Sequence, residues 1–153
     1  MSTTTAPNAA PNPLRMIGQA NRTFARLVDA PLRELGFAFG QLPVLVSLKK
    51  RGALSQAELA RIAQVEQPSM AQLLNRMERD GLVRRIADPA DARSRLISLT
   101  DQALQRLPQA KAVMDAASRK ALSGFSKPER EQLDELLSRV TANLDDALAA
   151  LRD

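Results

Sequence analysis

Apolar side chains recur at helical spacing near both ends of the chain. Between residues 13 and 36 they return at steps of three and four, which predicts one amphipathic helix. A second helix is predicted over 40–50, with Pro43 in its first turn, where a missing N–H group is tolerated. Further helices are predicted from residue 101 and from residue 126. The last of them carries a continuous apolar stripe: Leu133, Leu136, Leu137, Val140, Leu144, Leu148 and Leu151.

Two shorter helices are predicted in the middle of the chain. Ser55 and Glu58 have the spacing of a capping box, in which each side chain accepts a hydrogen bond from the backbone N–H of the other residue. This pair predicts a helix over 56–63. After a short turn, Pro68 suits the first turn of a helix, because its missing N–H would have had no partner there. The second of these helices is therefore predicted from Pro68 to Asp80.

Two strands are predicted after these helices, over 82–86 and 95–99. The segment 87–94 between them is too long for a tight hairpin turn and too charged to be buried, so we expect it to project from the body as a loop. The predicted fold class is mainly α with a small β-hairpin wing. It is a winged helix-turn-helix over 37–100, flanked by helices at 13–36 and 101–153.

Helix, turn, helix and wing in this order favour binding to double-stranded DNA, because the second helix fits the major groove and the wing can reach the adjacent minor groove. The predicted contacts of the helix are Ser69, Met70, Gln72, Asn75 and Arg76. Those of the wing are Asp91, Arg93 and Arg95, with Asp91 holding or orienting an arginine. Gln72 and Asn75 suit adenine, and Arg76 suits guanine or a phosphate.

Two other interpretations of the same residues stay open. The polar side chains could be an ordinary solvated helix face, and Asp91 could form a surface ion pair worth little. A winged helix can also bind protein, since the fold does not fix the partner. A protein-binding module would favour an apolar or acidic surface, whereas this surface carries Arg76 and Arg79.

The composition excludes several kinds of catalytic and metal-binding chemistry, but it does not locate the DNA-binding site. The net charge is +5, but residues 55–100 carry seven basic and six acidic groups, so charge alone does not point to them. The chain has no Cys and no His. This excludes thiolate nucleophiles, zinc sites built from Cys and His, and imidazole catalysis. Catalysis by carboxylates alone stays open, but no Asp or Glu lies in apolar, Gly-rich surroundings that indicate a raised pKa. We therefore expect no enzyme activity, no cofactor and no metal.

The ends of the chain suggest its location and assembly. Residues 1–12 are predicted to be a disordered tail. They lack the features of a secretory signal, and no apolar run of the chain is long enough to span a bilayer. We therefore expect a cytoplasmic protein without a membrane partner. The apolar stripe of the last helix could belong to an ordinary core. Because the chain is so short, the favoured interpretation is that the stripe forms half of a core that two chains share in a homodimer. The predicted dimerisation residues are Leu14, Ile17, Leu133, Leu137, Val140, Leu144 and Leu148.

Five segments follow one another in a characteristic order and spacing: 36–45, 54–60, 79–85, 88–93 and 98–100. With them the chain resembles the multiple-antibiotic-resistance regulator (MarR) family, and the lengths of the flanking helices extend the resemblance from about Pro13 to the end. The resemblance implies a dimeric repressor that reads a palindromic operator. It also implies that Arg93 is the minor-groove arginine and that the helix from Pro68 reads the bases. Ala92 stands where the family commonly has a basic wing residue, which puts one backbone contact in doubt.

The resemblance further implies a ligand cleft between the dimer and DNA-binding parts, among the first, second and fifth helices. Arg15, Arg22 and Phe24 on the first helix are candidates to line it, although a surface or dimer role is the favoured interpretation for each. A small organic effector, aromatic or anionic, is expected. Oxidants, transition metals and mild pH changes are not expected as signals, because sensing them draws on Cys or His.

Overall fold

The helical patterns fold into six helices and three strands within residues 10–152, the part of the chain that this computed structural model describes. The helices are α1 (Pro13–Glu34), α2 (Leu42–Arg51), α3 (Gln56–Ala63), α4 (Gln67–Arg79), α5 (Asp101–Ala121) and α6 (Lys127–Ala150). The strands are β1 (Ala53–Leu54), β2 (Val83–Asp88) and β3 (Asp91–Leu99). A short 3-10 turn, Phe39–Gln41, precedes α2. This order confirms the predicted fold class.

The chain divides into two compact units, one reaching Ala117 and the other beginning at Ser118. α5 passes from the first unit into the second. The first unit therefore contains α1 and most of α5 together with the whole winged helix-turn-helix. The predicted division into dimerisation helices and a DNA-binding domain is a division by function, and it stays a prediction.

A single hydrophobic core holds the first unit together. Its fully buried large side chains come from four helices and from the sheet region: Val28, Leu32, Val44, Leu45, Leu48, Leu59, Met70, Leu74, Met77, Leu82 and Ile97. α5 adds Ala103, Leu107 and Ala110, which are also buried. α1 and α5 thus pack on the winged helix-turn-helix of their own chain. Within residues 10–152, no helix is both long and apolar enough to cross a membrane.

The sheet has three antiparallel strands in the order β1-β3-β2. β1 is absent from the sequence-based prediction. Its two residues pair with β3, Ala53 with Ser98 and Leu54 with Ile97. Because α3 begins two residues after β1, this pairing fixes the start of α3 to the base of the wing.

α1 begins at Pro13, the residue that follows the predicted tail. Asn12, the last residue of that predicted tail, caps the helix, because its Oδ1 accepts a hydrogen bond from the N–H of Leu14 at 3.1 Å. The disorder of the tail stays a prediction. Residues 1–9 of the predicted tail lie outside the described residues.

Candidate nucleic-acid interface

α3 is fixed at its start by the predicted capping box. The Ser55 hydroxyl accepts a hydrogen bond from the N–H of Glu58 at 3.1 Å, and the Glu58 carboxylate accepts one from the N–H of Ser55 at 2.8 Å. The hydrogen bond from the Ser55 backbone, with a further contribution from its side chain, lowers the pKa of Glu58 below its ordinary value. The charged carboxylate is therefore the form that stabilises this helix end.

A tight turn joins α3 to α4. Gln64 ends α3 in the left-handed region, with φ at +55°. The N–H of Val65 then donates to the carbonyl of Ala60 at 3.0 Å, which satisfies a carbonyl at the end of the helix. α4 begins at Gln67, with Pro68 in its first turn as predicted. The two helices thus form the helix-turn-helix unit.

One face of α4 is buried in the core. Met70, Leu74 and Met77 are each 0% exposed, and their spacing of four and three residues places them on the same side of the helix. The prediction that Met70 contacts DNA is wrong. Met70 lies one turn before Leu74 on the buried face, so its side chain fills the core beneath the helix.

The opposite side of α4 is polar and exposed. It carries four of the five predicted helix contacts: Ser69, Gln72, Asn75 and Arg76. Arg79, also exposed, continues this side toward the end of the helix. Hydroxyl, amide and guanidinium groups there suit hydrogen bonds to base edges and phosphates.

Arg85 of β2 is bonded to this polar side, although sequence reasoning did not single it out. Its Nη2 donates to Asn75 Oδ1 at 2.7 Å, and its Nε forms an ion pair with Glu78 Oε2 at 3.2 Å. The Arg85 side chain is 31% exposed. No local spacing pattern could reveal this contact, because it joins a helix to a strand across the fold.

The end of α4 is joined to the wing and to α5. Gly81 has φ at +74°, which lets the N–H of Leu82 turn back and donate to the carbonyl of Met77 at 2.9 Å. The Thr100 hydroxyl donates to the Gly81 carbonyl at 2.6 Å and accepts the N–H of Ala103 at 3.1 Å. Thr100 therefore caps the start of α5 and holds it to the end of α4.

The wing has longer strands and a shorter loop than predicted. β2 extends to Asp88 and β3 begins at Asp91, so only Pro89 and Ala90 join them. Asp88 Oδ1 closes this turn by accepting the N–H of Ala90 at 2.9 Å. The prediction of an open loop over 87–94 is wrong, because the turn has only two residues. The strands continue on both sides of it, and a register shift after Ala87 accommodates the additional residues of β3.

Asp91 organises the irregular part of β3 in which Arg93 lies. Its Oδ1 accepts the backbone N–H of Arg93 at 3.0 Å, and its Oδ2 accepts the hydroxyl of Ser94 at 3.0 Å. Asp91 therefore orients Arg93 through the backbone. The side chains of Arg93 and Arg95 are both exposed, as contact with a nucleic acid requires.

The predicted dimerisation residues are either exposed or only partly buried within the single chain. α6 contains no buried side chain. Leu137 is 37% exposed and Leu144 is 54% exposed, and Leu148 is exposed as well, while Leu133 and Val140 are partly buried. On α1, Leu14 is exposed and Ile17 is partly buried.

The predicted effector residues lie away from a cavity of about 430 Å³ between α2 and α5. Phe24 packs edge-on against Phe39, with ring centres 6.1 Å apart, whereas Arg15 and Arg22 are exposed on α1. The cavity has apolar walls and three lysines: Leu42, Val46, Lys49, Lys50, Leu107, Ala110, Lys111 and Met114. These lining residues belong to the second and fifth helices. The predicted ligand cleft lies among the first, second and fifth helices, so the cavity involves two of those three.

Known proteins share this arrangement. A sequence model described as the MarR family matches residues 35–94. An uncharacterized HTH-type transcriptional regulator, YybA of Bacillus subtilis (strain 168), is 24% identical over 132 residues, which make up 86% of this chain and 88% of that protein. A mutant MarR from E. coli complexed with operator DNA is 25% identical, with a TM-score of 0.76, and the match covers 84% of this chain and 93% of that chain. A probable transcriptional regulator from Pseudomonas aeruginosa is 30% identical, with a TM-score of 0.74, over 82% of this chain and 94% of that chain.

Proposed function

Because this chain belongs to the MarR family of winged helix-turn-helix transcriptional regulators, we propose that it is a repressor that binds a palindromic operator as a homodimer. α4 enters the major groove and Arg93 of the wing reaches the adjacent minor groove. One observation carries this proposal: Gly81 and the hydrogen bond from Arg85 to Asn75 join the polar side of α4 to strand β2 of the wing. We call the exposed polar side of α4 together with the wing the reading surface.

The base contacts are proposed for Ser69, Gln72 and Arg76, with Asn75 at the edge of the same surface. Gln72 suits adenine, and Arg76 suits guanine or a phosphate. Arg93 suits a narrow minor groove, whose negative potential attracts guanidinium groups. The operator complex of the mutant E. coli MarR supports DNA as the ligand of this kind of fold.

A homodimer is supported by the apolar side chains that the single chain leaves exposed. Leu137 and Leu144 lie seven residues apart on α6, and both are accessible to solvent. Large exposed apolar faces mark association surfaces in soluble proteins. A two-fold dimer presents two copies of α4 to two half-sites, and this symmetry is the reason for proposing a palindrome.

The function is tested by selecting bound duplexes from a random library with the purified protein. The selected sequences should contain an inverted repeat whose half-sites are about one helical turn, roughly 10 base pairs, apart. Arg93→Ala should weaken binding to the selected duplex, and Arg139→Ala on α6 is the matched control. Selection of no common sequence, or equal effects of the two substitutions, would contradict the proposal.

A small organic anion is proposed to release the DNA from the cavity between α2 and α5. The apolar walls suit an aromatic or lipophilic body, while Lys49 and Lys50 on the rim suit a carboxylate. Lys111, also on the rim, already pairs with Asp115 at 2.6 Å, so Lys49 and Lys50 carry this part of the proposal. Arg15, Arg22 and Phe24 of α1, the candidates predicted from the sequence, remain the alternative site.

The effector proposal is tested by adding benzoate and naphthoate to the preformed complex with the selected duplex. Effector coupling typically changes affinity about 5- to 150-fold. The double variant Lys49→Met, Lys50→Met should lose most of the response, whereas Lys120→Met, another exposed lysine, should keep it. If the double variant still releases DNA in response to the anions and Arg22→Met does not, the effector site lies on α1 instead.

A further inference from the structure

The contact between Arg85 and Asn75 fixes the orientation of one amide on the reading surface. Arg85 Nη2 lies 2.7 Å from the oxygen of Asn75. A guanidinium group has only donors, so the Asn75 atom that faces it must be the oxygen and not the nitrogen. The contact directs this oxygen toward Arg85 and uses one of its two lone pairs, while the NH₂ group of Asn75 stays wholly available to another partner.

Glu78 holds the guanidinium in place for this contact. Asn75 and Glu78 are three residues apart, so their side chains are neighbours on the helix surface. Glu78 Oε2 lies 3.2 Å from Arg85 Nε, while Asn75 takes the hydrogen bond from Nη2. With two partners on α4, the guanidinium cannot turn freely toward a phosphate, and it stays directed at the amide oxygen.

We propose that Arg85 is a positioning residue that makes Asn75 a hydrogen-bond donor toward DNA and so determines which base Asn75 reads. This inference rests on the proposed function. An asparagine that recognises adenine uses its oxygen and its nitrogen together, against N6 and N7. With the oxygen directed at Arg85, Asn75 instead suits a base edge rich in acceptors, such as O6 and N7 of guanine or O4 of thymine. This differs from the adenine contact that the residue type alone predicts.

The first test identifies the base that Asn75 reads. Duplexes are selected from a random library with the wild-type protein and with Asn75→Ala, and the position at which the preference weakens is assigned to Asn75. The wild-type protein should prefer guanine or thymine there, by about 2- to 10-fold, as loss of one hydrogen bond implies. An adenine preference at that position, or no position that changes, would overturn the inference. If the wild-type protein itself selects no sequence, the proposed function fails instead.

The second test asks whether Arg85 acts through Asn75. Arg85→Met keeps the length of the side chain but removes its donors. It should reduce the preference at the Asn75 position and raise the share of adenine. In the double variant Arg85→Met, Asn75→Ala, the result should equal that of Asn75→Ala alone. Additive losses would show that Arg85 acts independently and would overturn the inference.

Arg84→Met is the matched control, because neighbouring residues of a strand point to opposite faces. It removes the same charge from β2 and should leave the base preference unchanged. Salt dependence gives a further check. Loss of a phosphate contact lowers the slope of log affinity against log salt by about 0.9 per contact, whereas loss of a positioning residue leaves the slope unchanged. A lower slope for Arg85→Met with unchanged base preference would assign Arg85 to the phosphate backbone and overturn the inference.

Circular dichroism establishes whether Arg85→Met is folded. If it is not, Glu78→Gln replaces it, since this variant keeps the side-chain length and removes only the charge that holds the guanidinium. It should shift the preference at the same base position in the same direction. An unchanged preference in folded Glu78→Gln, in that case, would overturn the inference.

Discussion

Replacement of Asp91 by alanine sets two effects on DNA binding against each other. Asp91 carries a negative charge on the wing, so its removal should reduce repulsion from the phosphates. It also accepts hydrogen bonds from the backbone of Arg93 and from the hydroxyl of Ser94, each at 3.0 Å. Its removal should therefore loosen the segment that presents Arg93.

Magnitudes indicate that the loosening dominates. A carboxylate about 10 Å from a phosphate contributes about 0.4 kcal/mol of repulsion in water, and salt at physiological strength reduces this further. Each lost hydrogen bond costs about 0.5–1.5 kcal/mol. Two bonds in one exposed wing therefore cost about 1 kcal/mol at the low end, or about 2 kcal/mol for a dimer with two wings. Asp91→Ala should accordingly weaken binding by roughly 5- to 30-fold.

The assay is an anisotropy titration of the selected duplex at fixed salt. Asp91→Asn separates the two effects, because it removes the charge but keeps an oxygen that can accept the N–H of Arg93. It should bind as tightly as the wild-type protein or more tightly. In an Arg93→Ala background, Asp91→Ala should have little further effect. If Asp91→Ala binds as well as the wild-type protein, Asp91 does not position Arg93 and the reasoning is refuted.

Three further predictions concern assembly, packing and pH. The double variant Leu137→Asp, Leu144→Asp should be monomeric by light scattering, while a monomeric wild-type protein at micromolar concentration would contradict the proposed dimer. Met70→Ala should lower the free energy of unfolding by about 2–5 kcal/mol, as for other buried side chains, and should leave the selected sequences unchanged. A changed base preference would indicate that Met70 contacts DNA. Because the pKa of Glu58 is lowered on folding, its stabilising effect is present above the unfolded value near 4.5 and is lost as the pH falls through the folded value. Glu58→Gln should therefore reduce the acid sensitivity of thermal unfolding, and an unchanged pH profile would argue against this capping interaction.

The sequence predicted those parts of the fold that depend on local chemistry. Three such features involve contacts between groups only a few residues apart. They are the capping box at Ser55 and Glu58, the glycine that ends α4 at Gly81, and the proline in the first turn of α4. Their geometry follows from backbone groups that need partners and from the left-handed conformation that glycine adopts readily. Such features need no knowledge of the rest of the chain.

The features that sequence reasoning missed depend on tertiary contacts. β1 has two residues, too few to show any periodicity, and it exists because β3 pairs with it. Met70 is the exception, because its spacing from Leu74 and Met77 is enough to place it on the buried face of α4. Arg85 contacts Asn75 across ten positions of sequence. Only the fold brings these two side chains together.

The proposed reading surface and the proposed effector cavity share one structural element. α5 begins directly after Thr100, whose hydroxyl donates to the carbonyl of Gly81 at the end of α4, and its next turns supply Leu107 and Ala110 to the cavity wall. A ligand that changes the spacing of α2 and α5 therefore acts on a helix whose capping residue holds the end of the reading helix. Release of DNA requires only that the ligand bind better to the arrangement in which the reading helices no longer fit their half-sites. A coupling of about 1–3 kcal/mol is typical of such effects.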